Sequence, residues 1–263
     1  MVKCNDIAQY IETLAPCNLA CDWDNVGLLV GDKDKEIKKV LIALDNDERV
    51  TNEAISLSAD MIITHHPIMF SPVNRLTESD AEQRMLRRLC ENGICHYAAH
   101  TNMDCALGGL NDYLASKLSI EDVSVIEETV GGSGFGRMGN VAETTLSAMI
   151  ELCEDKLSLD SVRYVGALDR KICKVAVNSG SGSDIIAKCA ELGADLLITG
   201  DLKYTPAREA YELGIAVIDA GHYGTEIIFT DFIKDYLEKK FVDVEFVIST
   251  KHINVLKTHK RQE

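Results

Sequence analysis

The amino-acid sequence predicts an α/β protein built as two similar three-layer lobes with mainly parallel sheets and a dinuclear metal site between them. An internal repeat carries the first part of that expectation. KVLIALDNDERVTNEAISLSADMIIT, beginning at Lys39, aligns without a gap with KVAVNSGSGSDIIAKCAELGADLLIT, beginning at Lys174. Each reads as a strand rich in Val, Ile and Leu, a polar loop, a helix with apolar residues at three- and four-residue spacing, and a second strand ending in Ile-Thr. A second pair of segments carries the other part. ICHYAAHTNMD from Ile94 and VIDAGHYGTE from Val217 each run from a short strand into a histidine followed four residues later by a carboxylate.

Crossovers of this kind build parallel sheets, so the strands MIIT, HYAA, LLIT and AVID are expected to end along a shared edge within each lobe. Ligands of open α/β sheets bind beyond the carboxyl ends of strands. That rule places His65, His66, His100, Asp104, Asp201, Asp219, His222 and Glu226 in loops at the functional edge. Neighbouring residues of a strand face opposite ways, but Pro67 ends the ladder directly after the histidine pair, which frees both imidazoles to turn toward one cavity.

The remaining elements follow from local pattern. Residues 143–157 read as a helix and VRYVG as a strand, and the glycine cluster at 128–134 places the divide between a first lobe, 1–128, and a second, 129–263. TEIIFTDFIKDYLEKK reads as a helix and VEFVIST as a strand, leaving KTHKRQE as a frayed tail.

Composition narrows the function classes. With 263 residues, 46% hydrophobic and 26% charged, the chain has a globular composition. Its longest apolar runs are strand-sized, and Asp6 and Glu12 interrupt the stretch in which a signal peptide needs an apolar core, so a cytoplasmic protein that does not cross a bilayer is expected. The formal charge of -15 disfavours nucleic acid and anionic membrane as partners. Nine cysteines without a CxxC pair form neither a disulfide framework nor a zinc ribbon, and read as buried thiols in a reducing compartment. Cys17 and Cys21 have a ligand spacing, but no nearby Cys or His completes a set of four.

A lone histidine is usually a hydrogen-bonded structural residue. Here four of the seven fall at strand ends, two adjacent and two with a carboxylate at i+4, while His96, His252 and His259 take the structural reading. If the turn after AVIDAG opens directly into a helix, His222 and Glu226 share one face and reach a common ion, and His100 with Asp104 can do the same. Imidazole with carboxylate and no thiolate suits zinc, manganese or iron. Five or six such ligands exceed what one tetrahedral ion with an open position takes, and match two metals sharing a bridging carboxylate. Cys105, beside Asp104, reads as core.

Two glycine motifs compete for attention. GFGRMG, residues 134–139, fits a dinucleotide fingerprint by letter, but no clear strand leads into it and no helix opens from it, so it reads as a structural turn. SGSGSD, residues 179–184, is placed to hold an anion on its backbone amides, yet a plain capped turn is the better reading. In TGDLKYTPAREA, Thr205 before Pro206 reads as a helix N-cap, and Lys203 and Tyr204 lie either near the metals or in a solvated loop.

WDNVGLLVGD, ITHHPIMF, AAHTNMD, GFGRMG, TGDLKY and DAGHYGTE, in this order and over nearly the whole chain, resemble the Nif-three-like dinuclear metal centre proteins, widely labelled GTP cyclohydrolase 1 type 2 homologues. The resemblance implies two α/β lobes, a homohexameric ring and a two-metal site facing its interior. Carried over by motif, the ligands are His65, His66, Asp104, His222 and Glu226, with His100 a further ligand, a group behind the ligands or a proton carrier. The chain looks like the family's short form, without an additional domain between the lobes. It departs from the family pattern at LDND, where a form closer to LDVT is expected, and at Thr205, where many relatives have histidine.

Together these features point to a metal-dependent hydrolase of a nucleotide or related small molecule, carrying two divalent ions per chain. The contrasting expectation is a metal-loaded ring that binds or regulates a protein or metabolite without turnover. Aligning the repeats adds a constraint: opposite His65 and His66 stand Gly200 and Asp201, so the lobes cannot contribute equally. One composite site is expected, bridged by Glu226, whose side chain has the longer reach.

Overall fold

The computed structural model describes residues 1–257 and 259. Among them eleven strands form two sheets: β1 (Gly27–Val30), β2 (Lys39–Ala43), β3 (Met61–Thr64), β4 (Cys95–Ala98), β5 (Glu121–Glu128), β6 (Gly134–Thr145), β7 (Arg163–Val165), β8 (Lys171–Ser181), β9 (Leu196–Gly200), β10 (Ala216–Asp219) and β11 (Glu245–Ile248). The chain divides into two compact units, one of Met1–Ala106 with Phe229–Ile253, the other of Leu107–Ile228 with the described residues from Asn254. The sequence reading draws a single divide at 128/129. The expected frayed tail at 257–263 lies largely outside the described residues.

In the first unit the strand order is β1-β4-β3-β2-β11, parallel except for β1 against β4. Every residue of β3 and β4 is buried, as strands covered on both faces must be. Helix Glu48–Ser56 begins where Asp47 Oδ1 accepts from the Arg49 and Val50 amides at 2.8 and 3.0 Å. Its Val50 and Ala54 pack with Leu41, Ile62, Leu86 and Leu89 into the core. Helix Phe229–Glu238 buries Phe229, Ile233 and Leu237, a stripe at four-residue spacing, and Tyr236 stacks on Tyr10 at 4.6 Å. This helix and β11, which pairs with β2, belong to the first unit.

In the second unit the order is β5-β6-β8-β9-β10-β7. Only β8, β9 and β10 run parallel; β5, β6 and β7 add antiparallel pairings, so this sheet is mixed where the repeat alone suggested a parallel one. The glycine cluster is the turn of the β5–β6 hairpin, with Gly131 and Gly132 at φ 61° and 80°. GFGRMG is strand β6 itself, not a turn. A Cβ on Gly134 would lie 1.9 Å from Glu127 O, so the neighbouring strand comes close only because glycine stands there. Arg137 from the same motif is buried, donating to Asp112 Oδ2 at 2.9 Å and to the carbonyls of Gly134 and Gly136 at 2.7 and 3.0 Å. The helix expected at 143–157 is Leu146–Lys156, because β6 runs on to Thr145, whose hydroxyl caps it. The helix after TGDLK begins at Tyr204 with Lys203 as its N-cap, so Thr205 is inside it. Among the described residues no helix is long and apolar enough to cross a membrane.

The repeat is preserved to individual hydrogen bonds. Asp60 Oδ2 accepts from the Lys38 and Lys39 amides at 2.9 and 3.1 Å, and Asp195 Oδ2 from those of Cys173 and Lys174 at 2.9 Å each. Past the strand ends, Ala99 N donates to Thr64 O at 3.0 Å and Ala220 N to Thr199 O at 2.8 Å. The Ala-Asp and Ile-Thr pairs shared by both copies therefore lock equivalent strand ends.

His96 in β4 is fully buried, and Thr64 Oγ1 donates to His66 O at 2.6 Å, so His96 Nε2–H donates to Thr64 Oγ1 at 3.1 Å. Burial pushes its imidazole down to about 3. The folded value is depressed, so the unfolded chain takes up this proton first: stability is complete above roughly pH 6.5 and is lost as pH falls toward about 3. Urea midpoints measured across that window should drop more steeply for the parent than for His96→Gln; parallel slopes would remove the assignment.

Candidate metal centre

Candidate metal ligands gather past the strand ends of each unit. In the first, His65 and His66 follow the end of β3, and Pro67 prevents the ladder from continuing. His100 follows β4 and caps the short helix Thr101–Cys105, which carries Asp104. The three imidazole rings form a near-equilateral triangle, with centroids 5.2, 5.1 and 5.2 Å apart, and each offers a nitrogen within 4.8 Å of the others. Asp104 Oδ2 lies 3.7 Å from His65 Nε2.

The outer side of each ring fixes its chemistry. His65 Nδ1 lies 2.7 Å from Ala99 O, His66 Nδ1 2.7 Å from Asp45 Oδ1, and His100 Nδ1 3.0 Å from Asp24 Oδ1. A carbonyl or carboxylate oxygen only accepts, so each Nδ1 carries the hydrogen and each neutral ring keeps its lone pair on Nε2. Burial alone would raise the Asp24 carboxyl, but hydrogen bonds from His100 and Thr101 outweigh it and hold the group at about 2. It is therefore ionised wherever the ring is neutral. Histidine with an oxygen acceptor behind it is the arrangement that orients imidazole toward a cation.

The second unit repeats the device once. Helix His222–Glu226 opens directly after the loop, so His222 and Glu226 do share a face, with Nε2 2.9 Å from Oε2, while Asp201 Oδ2 lies 2.8 Å from Nδ1. The hydrogen-bonded Glu226 carboxylate, with Asp201 behind, raises His222 to about 9 against the opposing effect of burial. A cation bound at Nε2 has to displace that proton. Glu226 is buried, and a Cβ on Gly180 would meet its Oε1 at 2.1 Å. That close approach, with Gly180 at φ 61°, accounts for the shape of the SGSGSD loop.

The other sequence candidates are placed as follows. Asp219 is buried against Arg163 of β7 and is structural. Cys105 is core, and Lys203 and Tyr204 are exposed. Sequence reasoning placed Asp201 at the edge without a role, and missed the roles of Asp24 and Asp45. Asp24 stands in the segment WDN and Asp45 in LDND, and neither segment by itself shows which histidine its carboxylate faces. The donor set fits a borderline divalent cation: imidazole and carboxylate, with no thiolate among the atoms brought together by the described residues.

The family model for Duf34/NIF3 (NGG1p interacting factor 3) matches residues 2–255. A Clostridium perfringens protein called GTP cyclohydrolase 1 type 2 homolog is 38% identical over 255 residues, covering 94% of this chain and 96% of the relative. A Staphylococcus aureus hypothetical protein of solved structure superposes with a TM-score of 0.91 at 28% identity, covering 98% of this chain and 99% of that one. A Bacillus cereus protein related to NIF3 superposes with a TM-score of 0.90 at 25% identity and the same coverage.

Proposed function

Since the chain belongs to the Duf34/NIF3 family, we propose that it is a dinuclear metal protein that hydrolyses a nucleotide or related small molecule as a cytoplasmic homohexamer. His65, His66, Asp104, His222 and Glu226 would hold two divalent ions, zinc, manganese or iron. The observation that carries this reading is the set of oxygen acceptors behind the rings, which leaves the Nε2 lone pairs of His65, His66 and His100 turned away from their own supports and holds the His222 ring with Nε2 toward Glu226. Held by these residues, divalent ions would supply hydroxide at neutral pH by lowering the pKa of water from ~15.7 to about 7. His100, oriented by Asp24, presents a nitrogen able to take or give a proton to a departing group. Relatives named GTP cyclohydrolase 1 type 2 homolog put a purine nucleotide first among substrates to try.

The test incubates metal-loaded protein with a nucleotide panel and follows formate, phosphate and ring-opened products. Turnover abolished by Asp104→Ala supports the hydrolase; no product from any nucleotide overturns it and leaves a metal-loaded binding protein. Sedimentation showing a stable monomer at micromolar concentration would remove the ring and leave the metal site standing.

The same proposal sets a pH dependence. Protons compete with metal at His222 from about pH 9 downward, so affinity should fall steadily with acidification. Metal content should drop below about pH 6 as histidine ligands are protonated. Two ions per chain persisting at roughly pH 4 would contradict these ligands.

A further inference from the structure

The chain's one tryptophan is 62% exposed, and Phe70 is 50% exposed beside it. Exposed aromatic surface of this size is ordinarily left scattered. Here it adjoins the histidine triangle: the Trp23 and Phe70 centroids each lie 5.9 Å from the His100 ring, at interplanar angles of 71° and 73°. The two rings lie 6.3 Å apart and are tilted by 36°, already in contact with one another. Both rings thus meet His100 near edge-on and leave exposed aromatic surface beside it.

This surface is held in place. The loop bearing Trp23 is anchored by Asp24, which takes the His100 Nδ1 hydrogen and, at 3.1 Å, the Thr101 amide. Cys21 N donates to Thr101 Oγ1 at 3.0 Å. Asn25 Nδ2 donates to Met69 O at 2.8 Å, tying that loop to the one bearing Phe70, whose own start is fixed by buried Ile68 in the core. The two loops that bear the aromatic rings are thus tied to the site and to each other, which lowers the ordering cost of binding.

We infer that Trp23 and Phe70 form a stacking platform for a planar heteroaromatic ring of a small molecule, placing that ring against His100. The inference rests on the proposed function for the nature of the bound molecule, but the platform binds without turnover. A flat π system stacks on exposed aromatic side chains, and such stacking tolerates any base because each has a π face. The platform is too small for a stable protein interface, which needs on the order of 800 Å² per partner.

Trp23 is its own reporter, since no second tryptophan contributes emission. Whole metal-loaded protein, excited selectively at the indole, is titrated with guanosine and adenosine, with ribose 5-phosphate as the ring-free control. Saturable quenching by the nucleosides and none by ribose 5-phosphate is expected. Phe70→Ala should weaken nucleoside binding roughly tenfold, and Phe70→Tyr should restore it. Equal affinities for parent and Phe70→Ala, or a response to ribose 5-phosphate equal to that of the nucleosides, overturn the platform. An emission shift that depends on protein concentration and blocks quenching overturns it in favour of a second copy covering the surface. Metal content measured on the same samples separates the two failures: quenching absent with metals bound sinks the platform alone, whereas absent metals sink the reading of the site.

Discussion

Glu226→Ala is expected to leave the purified, folded protein without either metal ion, whereas His100→Ala keeps at least one. Glu226 is buried with one oxygen 2.9 Å from His222 Nε2 and the other packed toward Gly180, so both carboxylate oxygens are held in defined directions. A carboxylate so fixed is suited to span two ions, and its loss takes away a charge that neither ion can replace from water. His100 is one of three imidazoles in its unit, and its removal leaves His65 and His66 with their own oxygen supports intact. Its variant should mainly impair turnover. Metal analysis of the two proteins decides the matter, and two ions per chain in Glu226→Ala would show that Glu226 is not the bridge.

What the sequence discloses is set by the range over which each feature is determined. The paired copies from Lys39 and Lys174 disclose strand, helix and strand, because burial period and loop chemistry are local. The same periodicity places His65, His66, His100 and His222 at strand ends, and the i+4 spacing brings His222 to Glu226. It says nothing of which strands meet. VEFVIST is legible as a strand, but its pairing with β2 is a tertiary choice of sheet edge. GFGRMG reads as a turn because no clear strand leads into it and no helix opens from it; its Gly134 and Gly139 admit the close approach of β5, which no spacing within the motif contains. Asp24 supports His100 from 76 positions away, a relation of the fold alone. Asp45 and Asp201 each stand just past a strand of the repeat, at β2 and β9, and each holds a histidine 21 positions on, His66 and His222. The sequence contains that equal separation, but only the hydrogen bonds give it meaning.

Gly200→Ala should have the largest effect on the fold of the second unit. The repeat alignment sets Gly200 opposite His65, and the structure shows why no side chain stands there. A Cβ at this position would lie 2.5 Å from His222 N, 2.6 Å from Gly221 C and 2.8 Å from Gly180 O, all of them backbone atoms with no rotamer to yield. The next residue, Asp201, sits at φ 54° and turns its carboxylate to His222 Nδ1, so the strand end and the histidine arm are fixed together. The backbone of the second copy's own arm therefore packs where a side chain at position 200 would stand. Forcing in one methyl group should cost about 3 kcal/mol, read as a shift in the urea midpoint. Gly193→Ala is the control: its φ of 77° resembles that of other turn glycines, but nothing lies within 4 Å of the added carbon. Only the backbone strain remains there, roughly 1 kcal/mol. Equal losses for the two variants would mean that the close packing around Gly200 carries no energy, and the account of why the two halves of the repeat differ would fall with it.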